Sequence, residues 1–270
     1  MTTRTIPTWD RYIGPPPTIY EDHFVPAIGR PFAEQVVEAA APRPGERVLD
    51  VGCGTGIVAR LAAERIGDDG LVVGIDGHPG MVEAARSIRP DLDWREASAE
   101  GLPFDDDGFD VVLCSLGLQF FADRGRALGE MRRVMRPGGR TVLATAGPTP
   151  GPMRALHDVL ADQLGDHVAA FVDAVFSLDD PDRLCDLMTA AGLEQVDATR
   201  RTIPLALDPP ADFFWQYVLS TPLAEHVAGL APDRRAALEH TIVDRWRPFV
   251  VDGDLRFEVG ILLGTAEAST

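Results

Sequence analysis

The sequence predicts a doubly wound α/β fold: a mainly parallel sheet of seven strands, helices on both faces, and a helical lid inserted between the last two strands. Three observations carry this. Between residues 47 and 146, short apolar runs alternate with stretches of helical periodicity, the pattern of βαβ units. The runs are nearly continuous in Val, Leu and Ile, as strands covered on both faces must be. Beyond residue 146 the rhythm breaks, and a long connection, 208–252, separates the last two strand-like segments.

Residues 1–30 contain Pro15-Pro16-Pro17 together with Trp9, Tyr12, Tyr20 and Phe24, which predicts an irregular arm too apolar to float free. Phe32, Val36, Val37 and Ala40 then fall at helical spacing up to the breaker Pro42-Arg43-Pro44-Gly45. Strands are expected at 47–51, 71–75, 92–96, 111–115 and 141–146, with helices at 57–66, 79–88 and 124–135 between them. Crossovers between parallel strands are right-handed in about 98% of cases, which places the ligand crevice at the carboxyl ends of the strands. A Pro/Gly linker at 147–152 leads to one or two helices over 153–176 and another over 180–191, ended by Gly192. Strands follow at 194–205 and 255–266. The 208–252 connection carries Phe213, Phe214, Trp215, Tyr217, Trp246 and Phe249. The expected organisation is an arm over 1–30, a core over 31–207 and 253–270, and the lid over 208–252.

Composition narrows the function. With 25 basic and 42 acidic residues the net charge is −17, a surface that repels nucleic acid and anionic lipid. Neither is an expected partner. Every Lys/Arg-type residue is Arg, because the chain has no lysine, so lysine Schiff-base chemistry and the P-loop lysine are excluded. Cys53, Cys114 and Cys185 stand far apart without metal-ligand or disulfide spacing. No apolar run approaches the roughly 18 residues of a spanning helix, and a cytoplasmic location is expected.

The chemistry-bearing segment is Asp50-Val51-Gly52-Cys53-Gly54-Thr55-Gly56, which ends a buried strand and opens a helix. Glycines allow the backbone to turn sharply and approach a ligand closely. A dinucleotide fingerprint would need a further glycine at Ile57, so the spacing fails that test. Asp50 argues the same way: a carboxylate there suits an ammonium group and would repel a pyrophosphate. Asp76 closes the second strand, where a carboxylate can take both ribose hydroxyls of an adenosine. The polar turn Ala97-Ser98-Ala99-Glu100 follows the third strand, and Ser115 ends the central one.

In this order, these segments resemble the ubiquinone/menaquinone-biosynthesis type of class I methyltransferases, over about residues 31–146. The resemblance implies a Rossmann-like domain with S-adenosylmethionine (SAM) as cofactor and a small-molecule methyl acceptor. By position it implies cofactor contacts from Asp50, Gly52, Cys53, Gly54 and Gly56; from Asp76, Gly77 and Met81; from Ser98, Ala99 and Glu100; and from Ser115. The stretch Tyr20-Glu21-Asp22-His23-Phe24-Val25-Pro26 resembles the segment that closes over SAM in relatives, which adds Tyr20. Two positions depart from the pattern: Ser98 stands where Asp is usual, and Gln119 where His is frequent.

Methyl transfer from a sulfonium demands in-line approach and exclusion of water. An acceptor bearing a proton would gain from a nearby base, for which His23, His157 and His167 are the candidates. The aromatic lid predicts an apolar or aromatic acceptor. Two rivals stay open at this point: a SAM-binding enzyme promoting a cyclisation or rearrangement, and a SAM-binding regulatory protein.

Overall fold

The structure, a computed structural model, describes residues 17–269; Trp9, Tyr12, Pro15 and Pro16 of the expected arm lie outside the described residues. The sheet runs in the order β3-β2-β1-β4-β5-β8-β6. Its strands are β1 (Arg47–Val51), β2 (Leu71–Asp76), β3 (Asp93–Glu96), β4 (Phe109–Ser115), β5 (Met135–Ala146), β6 (Glu194–Leu207) and β8 (Asp254–Glu267). The first five are mutually parallel, and β8 runs antiparallel to both β5 and β6. An eighth strand, the two-residue β7 (Val250–Val251), pairs with β8. It adds one short strand to the seven expected.

Strand alternation sorts side chains onto two faces. On β1, Val48 joins the cluster containing Phe32 and Val36 of α2 (Arg30–Ala40) and Val58 and Ala62 of α3 (Ile57–Ile66). Its neighbours Leu49 and Val51 join the opposite cluster, with Leu128 and Met131 of α5 (Arg124–Val134) and Leu184 and Met188 of α8 (Pro181–Ala190). Val111 and Leu113 of β4 face the first cluster, while Val112 and Cys114 face the second. Both faces are therefore covered, as the apolar runs require. α4 (Pro79–Ile88) crosses from β2 to β3.

The arm departs from expectation. From Pro17 onward it is helical: a short α1 (Pro17–Ile19), a π-helical segment Tyr20–Gly29, then α2 without a break. Pro17 opens a helix, where its missing N–H is no loss. Pro26 lies inside the π-helical segment, where the Arg30 N–H reaches back to the Val25 carbonyl, the wider spacing of a π-turn. Strand β5 also begins six residues earlier than expected, because Met135 pairs with Phe109 ahead of a register shift at the Pro137-Gly138-Gly139 turn.

Beyond β5 lie α6 (Gly151–Leu164) and α7 (Asp166–Val175), and the 208–252 connection folds into α9 (Pro210–Leu219), α10 (Leu223–Ala228) and α11 (Pro232–Trp246). These helices pack on one another: α6 on α7 and α11, and α10 on α7 and α9. The Trp246 indole, fully buried, donates to the Pro152 carbonyl at 2.8 Å and so ties α11 to the start of α6.

One ion pair pins the leading helix to the sheet edge. Arg140 donates to the Ala40 and Ala41 carbonyls, at 2.6 and 3.0 Å, and to both Glu46 carboxylate oxygens, at 2.9 and 2.7 Å. Its hydrogen bond holds the Glu46 carboxyl below its ordinary 4.5. Replacing Arg140 with alanine is expected to cost about 2 kcal/mol at pH 7 in urea unfolding, since it strands a largely buried carboxylate and the carbonyls that end α2. A lowered folded-state pKa gives stability that is present above the unfolded value and lost as pH falls. The gap between variant and wild type should therefore narrow below about pH 4.5.

Candidate active site

The loop from β1 to α3 is tied to β2 before any ligand is considered. The Gly52 and Cys53 amides both donate to the Ile75 carbonyl, at 2.8 and 2.9 Å, and the Gly54 amide donates to Asp76 Oδ2 at 2.8 Å. Gly52 and Gly54 have φ of +71° and +55°, a region side-chain-bearing residues rarely adopt, and both line a cavity of about 470 Å³. Cys53 lies behind them, facing a separate small space, with its thiol 3.5 Å from the Gly54 carbonyl.

Gly56 has a different task. It caps α3 at φ +91°, and a Cβ there would come within 2.3 Å of the Trp94 ring. It lines neither the main cavity nor the small one, and its missing side chain makes room for Trp94. Gly56→Ala should lower the unfolding free energy by about 1–3 kcal/mol, read as a fall in melting temperature, from combined backbone strain and overpacking.

Asp50 is 1% exposed. Its Oδ2 accepts from the Ala59 amide at the start of α3, at 3.0 Å, while Oδ1 is buried with no hydrogen-bond partner. Burial, with a smaller repulsion from Asp76, pushes this carboxyl up to about 7. A small space bounded by Asp50, Gly52, Gly54, Tyr20 and Ser115 lies next to the main cavity and shares residues with it. An orphaned carboxylate oxygen there has the chemistry to receive an ammonium group.

At the end of β2, Asp76 accepts from two backbone amides, Gly54 and His78, each at 2.8 Å. Burial raises its pKa, partly offset by those hydrogen bonds. Gly77, Met81, Ser98, Ala99 and Glu100 continue the wall. His78 lies there too, but its Nδ1 accepts from the Met81 amide and caps α4. The Ser98 hydroxyl turns back on its own loop, bonded to the Glu100 amide and carboxylate. That loop is anchored on α5: Arg133 donates to the Leu102 and Phe104 carbonyls and Arg126 to the Glu100 carbonyl.

The other half of the cavity is apolar. Its walls are Phe24 and Ile28 of the π-helical segment, Phe120 and Phe121 after β4, Met153, Phe171, Val175 and Phe176 around α6 and α7, Leu205 of β6, and Phe257 and Val259 of β8. The 208–252 stretch contributes Tyr217 and Thr221; Phe213, Phe214 and Trp246 pack inside the cap. The arm is fastened across the polar end: Glu21 accepts from the Thr55 hydroxyl at 2.6 Å and pairs with Arg60 at 2.7 Å, while Tyr20 stacks on Phe24 at 4.7 Å.

The three histidine candidates are not brought to this cavity. His157 faces Asp158 and Asp173 across α6 and α7, at 3.1 and 3.3 Å. His167 is exposed and packs edge-on against His226 at 5.6 Å. His23 is absent from the lining. Helical phase explains the first two: His167 lies on the solvent side of α7, whose apolar side carries Val168 and Phe171, and His157 lies half-buried at the flank of α6, turned toward α7. Gln119, which sequence reasoning left without a role, does line the cavity, and both atoms of its carboxamide are buried without a partner.

Comparisons with known proteins agree with this geometry. Residues 49–143 match the family described as a methyltransferase domain. The ubiquinone/menaquinone biosynthesis C-methyltransferase UbiE of Shewanella frigidimarina is 31% identical over 193 residues, covering 65% of this chain and 77% of that protein. A demethylmenaquinone methyltransferase of Renibacterium salmoninarum is 42% identical over 130 residues, 47% of this chain and 53% of that one. Among solved structures, the YcgJ protein of Bacillus subtilis superposes with a TM-score of 0.56 at 20% identity, covering 88% of this chain and 98% of that one, a likeness of fold. With a glycine turn that excludes a dinucleotide, an orphaned carboxylate beside it and a relative matched over most of its length, the chain belongs to the class I SAM-dependent methyltransferases of the ubiquinone/menaquinone-biosynthesis type.

Proposed function

We propose that this methyltransferase moves a methyl group from SAM to a small, largely apolar or aromatic acceptor held in the chamber between the strand ends and the helical cap. The observation that carries the reading is the division of one cavity into a polar half, built by Gly52, Gly54, Asp76 and Ser98–100, and an apolar half walled by aromatic and aliphatic side chains from Phe24 to Val259. When bound, SAM supplies a sulfonium methyl group open to in-line attack. The chain's residues bind and orient. Asp50 Oδ1 receives the ammonium, the Gly52–Gly54 backbone lies along the amino-acid part with Tyr20 over it, Asp76 takes the ribose hydroxyls, and the Ser98–Glu100 turn meets the adenine. Ser115, at the end of β4, lines both the main cavity and the small space beside it.

With both ligands in place, the arm and cap that wall the cavity would keep water from the sulfonium, which favours transfer over hydrolysis. None of the described histidines lines the apolar half, so this reading assigns the acceptor's proton to no histidine base. In this reading α6 and α7 act with the 208–252 helices as one cap on the core. Three free cysteines, two of them buried, fit the cytoplasmic setting, and the net charge of −17 argues against nucleic acid or an anionic membrane surface as partner. No described helix is long and apolar enough to cross a membrane.

The test is transfer of labelled methyl from SAM to a panel of electron-rich aromatic and isoprenoid-tailed acceptors, beside equally sized charged ones. Turnover confined to the apolar members supports the reading. Tight SAM binding with label passing only to charged or macromolecular acceptors overturns it.

A further inference from the structure

The apolar chamber contains a polar group that the protein itself does not satisfy. Gln119 lies on a short 3-10 turn, Leu118–Phe120, and is 1% exposed. Neither its Oε1 nor its Nε2 has a hydrogen-bond partner, yet the residue lines the cavity between Gly117 and the aromatic pair Phe120 and Phe121. A buried carboxamide with both ends unmet is unfavourable, and this one is not an accident of a loose loop. The Gln119 carbonyl accepts from Arg124 Nη2 at 2.7 Å, and the same nitrogen donates to the Ser177 hydroxyl at 2.9 Å. The backbone of the turn is thus fixed from behind, and the side chain is held in the wall.

A second polar group stands in the same half. Tyr217 is 4% exposed, lines the cavity, and makes ring contacts with Phe24 and Phe213 but no hydrogen bond through its hydroxyl. Burial raises its pKa, so at neutral pH it stays a phenol, a donor and acceptor without charge. Thr221, the remaining hydroxyl there, already donates to the Val218 carbonyl. Neither Gln119 nor Tyr217 can take up a proton near neutral pH. What they can do is hydrogen-bond a neutral oxygen, donating to a carbonyl or both donating to and accepting from a hydroxyl.

We propose that Gln119 is the specificity-determining residue for the methyl acceptor, its carboxamide reading an uncharged hydroxyl or carbonyl on an otherwise apolar ring, with the Tyr217 phenol as the second contact. The proposal rests on the reading of the apolar half as the acceptor chamber and adds to it which atoms discriminate. A site whose buried polar groups are met only by the right substrate rejects an analogue that lacks the matching group far more strongly than an apolar pocket rejects a change in size.

The experiment uses two probes of nearly equal shape, 1-naphthol and 1-methylnaphthalene. Their binding to the full-length protein saturated with S-adenosylhomocysteine is measured by calorimetry, for wild type, Gln119→Leu, Gln119→Met and Tyr217→Phe. The quantity read is the ratio of the two dissociation constants. In Gln119→Leu and Gln119→Met the preference for the naphthol is expected to fall about tenfold relative to wild type, the worth of one hydrogen bond in a dry site, with a smaller fall in Tyr217→Phe. Affinity for S-adenosylhomocysteine in each variant reports that the fold is intact, and Met, unbranched and close to Gln in volume, guards against misfolding of the Leu variant. An unchanged ratio in both Gln119 variants, with both probes still bound, overturns the proposal and leaves the chamber reading standing. Binding of neither probe to the wild-type protein overturns both.

Discussion

Replacing Asp76 with alanine is expected to weaken SAM binding at least about a hundredfold, measured by calorimetry, and to abolish detectable methyl transfer at micromolar cofactor. The size follows from two losses at one carboxylate. Asp76 accepts from the Gly54 and His78 amides, each at 2.8 Å, and through the first of these it holds the glycine turn at its distance from β2. Asp76 also lines the cavity, where the ribose hydroxyls are proposed to lie. Hydrogen bonds to a charged group contribute about 1.5–3 kcal/mol each, so losing two to the ligand removes about 3 kcal/mol or more, roughly two powers of ten. Asp76→Asn should be intermediate, because an amide oxygen can still accept from one amide but its nitrogen cannot accept from the other. An Asp76→Ala protein that keeps wild-type SAM affinity would remove Asp76 from the cofactor site.

Much of that half-site was legible in the sequence because it depends on local geometry. Gly52 and Gly54 announce positive φ, Asp50 and Asp76 are polar residues ending apolar strands, and strand ends of a doubly wound sheet share one edge. The sheet was legible for the same reason, since continuous apolar runs such as Val111-Val112-Leu113 must face a helix layer on each side. Gly56 shows where local reading stops. A third glycine in series looks like another ligand contact, whereas its absent side chain makes room for Trp94, whose position depends on the β2–β3 pairing.

The apolar half of the cavity was less legible because its walls come from elements far apart in the chain. Phe176, Leu205 and Phe257 each look like ordinary core residues, and only the antiparallel register of β6 and β8, with Leu205 opposite Phe257, sets the latter two side by side. The aromatic-rich 208–252 stretch drew attention for its composition, but most of its aromatics, Phe213, Phe214 and Trp246 among them, are spent on holding the cap together. The histidine candidates lie off the cavity for a related reason: residue type marks chemical capacity, and position on the fold decides where that capacity faces. Gln119, between Leu118 and Phe120, is a polar residue in an apolar setting that does line the cavity.

Asp50 should show what the cofactor site costs the ligand-free protein. In the absence of ligand its carboxyl is raised from 3.8 to about 7, chiefly by burial. A folded-state pKa above the unfolded one favours folding at low pH, and that contribution is lost as pH rises toward the folded value, here between about 4 and 7. Above pH 7 the ligand-free protein therefore carries an ionised, half-satisfied carboxylate, at a cost on the order of 2–4 kcal/mol. Asp50→Asn, neutral and nearly the same shape, is expected to raise the melting temperature of the ligand-free protein at pH 8 by roughly 5 °C, at about 2–4 °C per kcal/mol for a chain of this size. The gain should shrink at pH 5, where the wild-type carboxyl is itself protonated. Binding should move the opposite way. A ligand ammonium draws Asp50 into its ionised form, so wild-type SAM affinity should climb by up to about tenfold per pH unit between pH 5 and 7, then level off. Asp76, also raised by burial, can add to this slope, which makes the difference between wild type and variant the informative quantity. Asp50→Asn should flatten the profile and lose about ten- to a hundredfold in affinity at pH 8, the scale of one buried charge-assisted contact. A variant that binds SAM with the wild-type pH profile would show that the ammonium is held elsewhere, and a variant no more stable than wild type at pH 8 would show that the carboxylate finds a partner in solution.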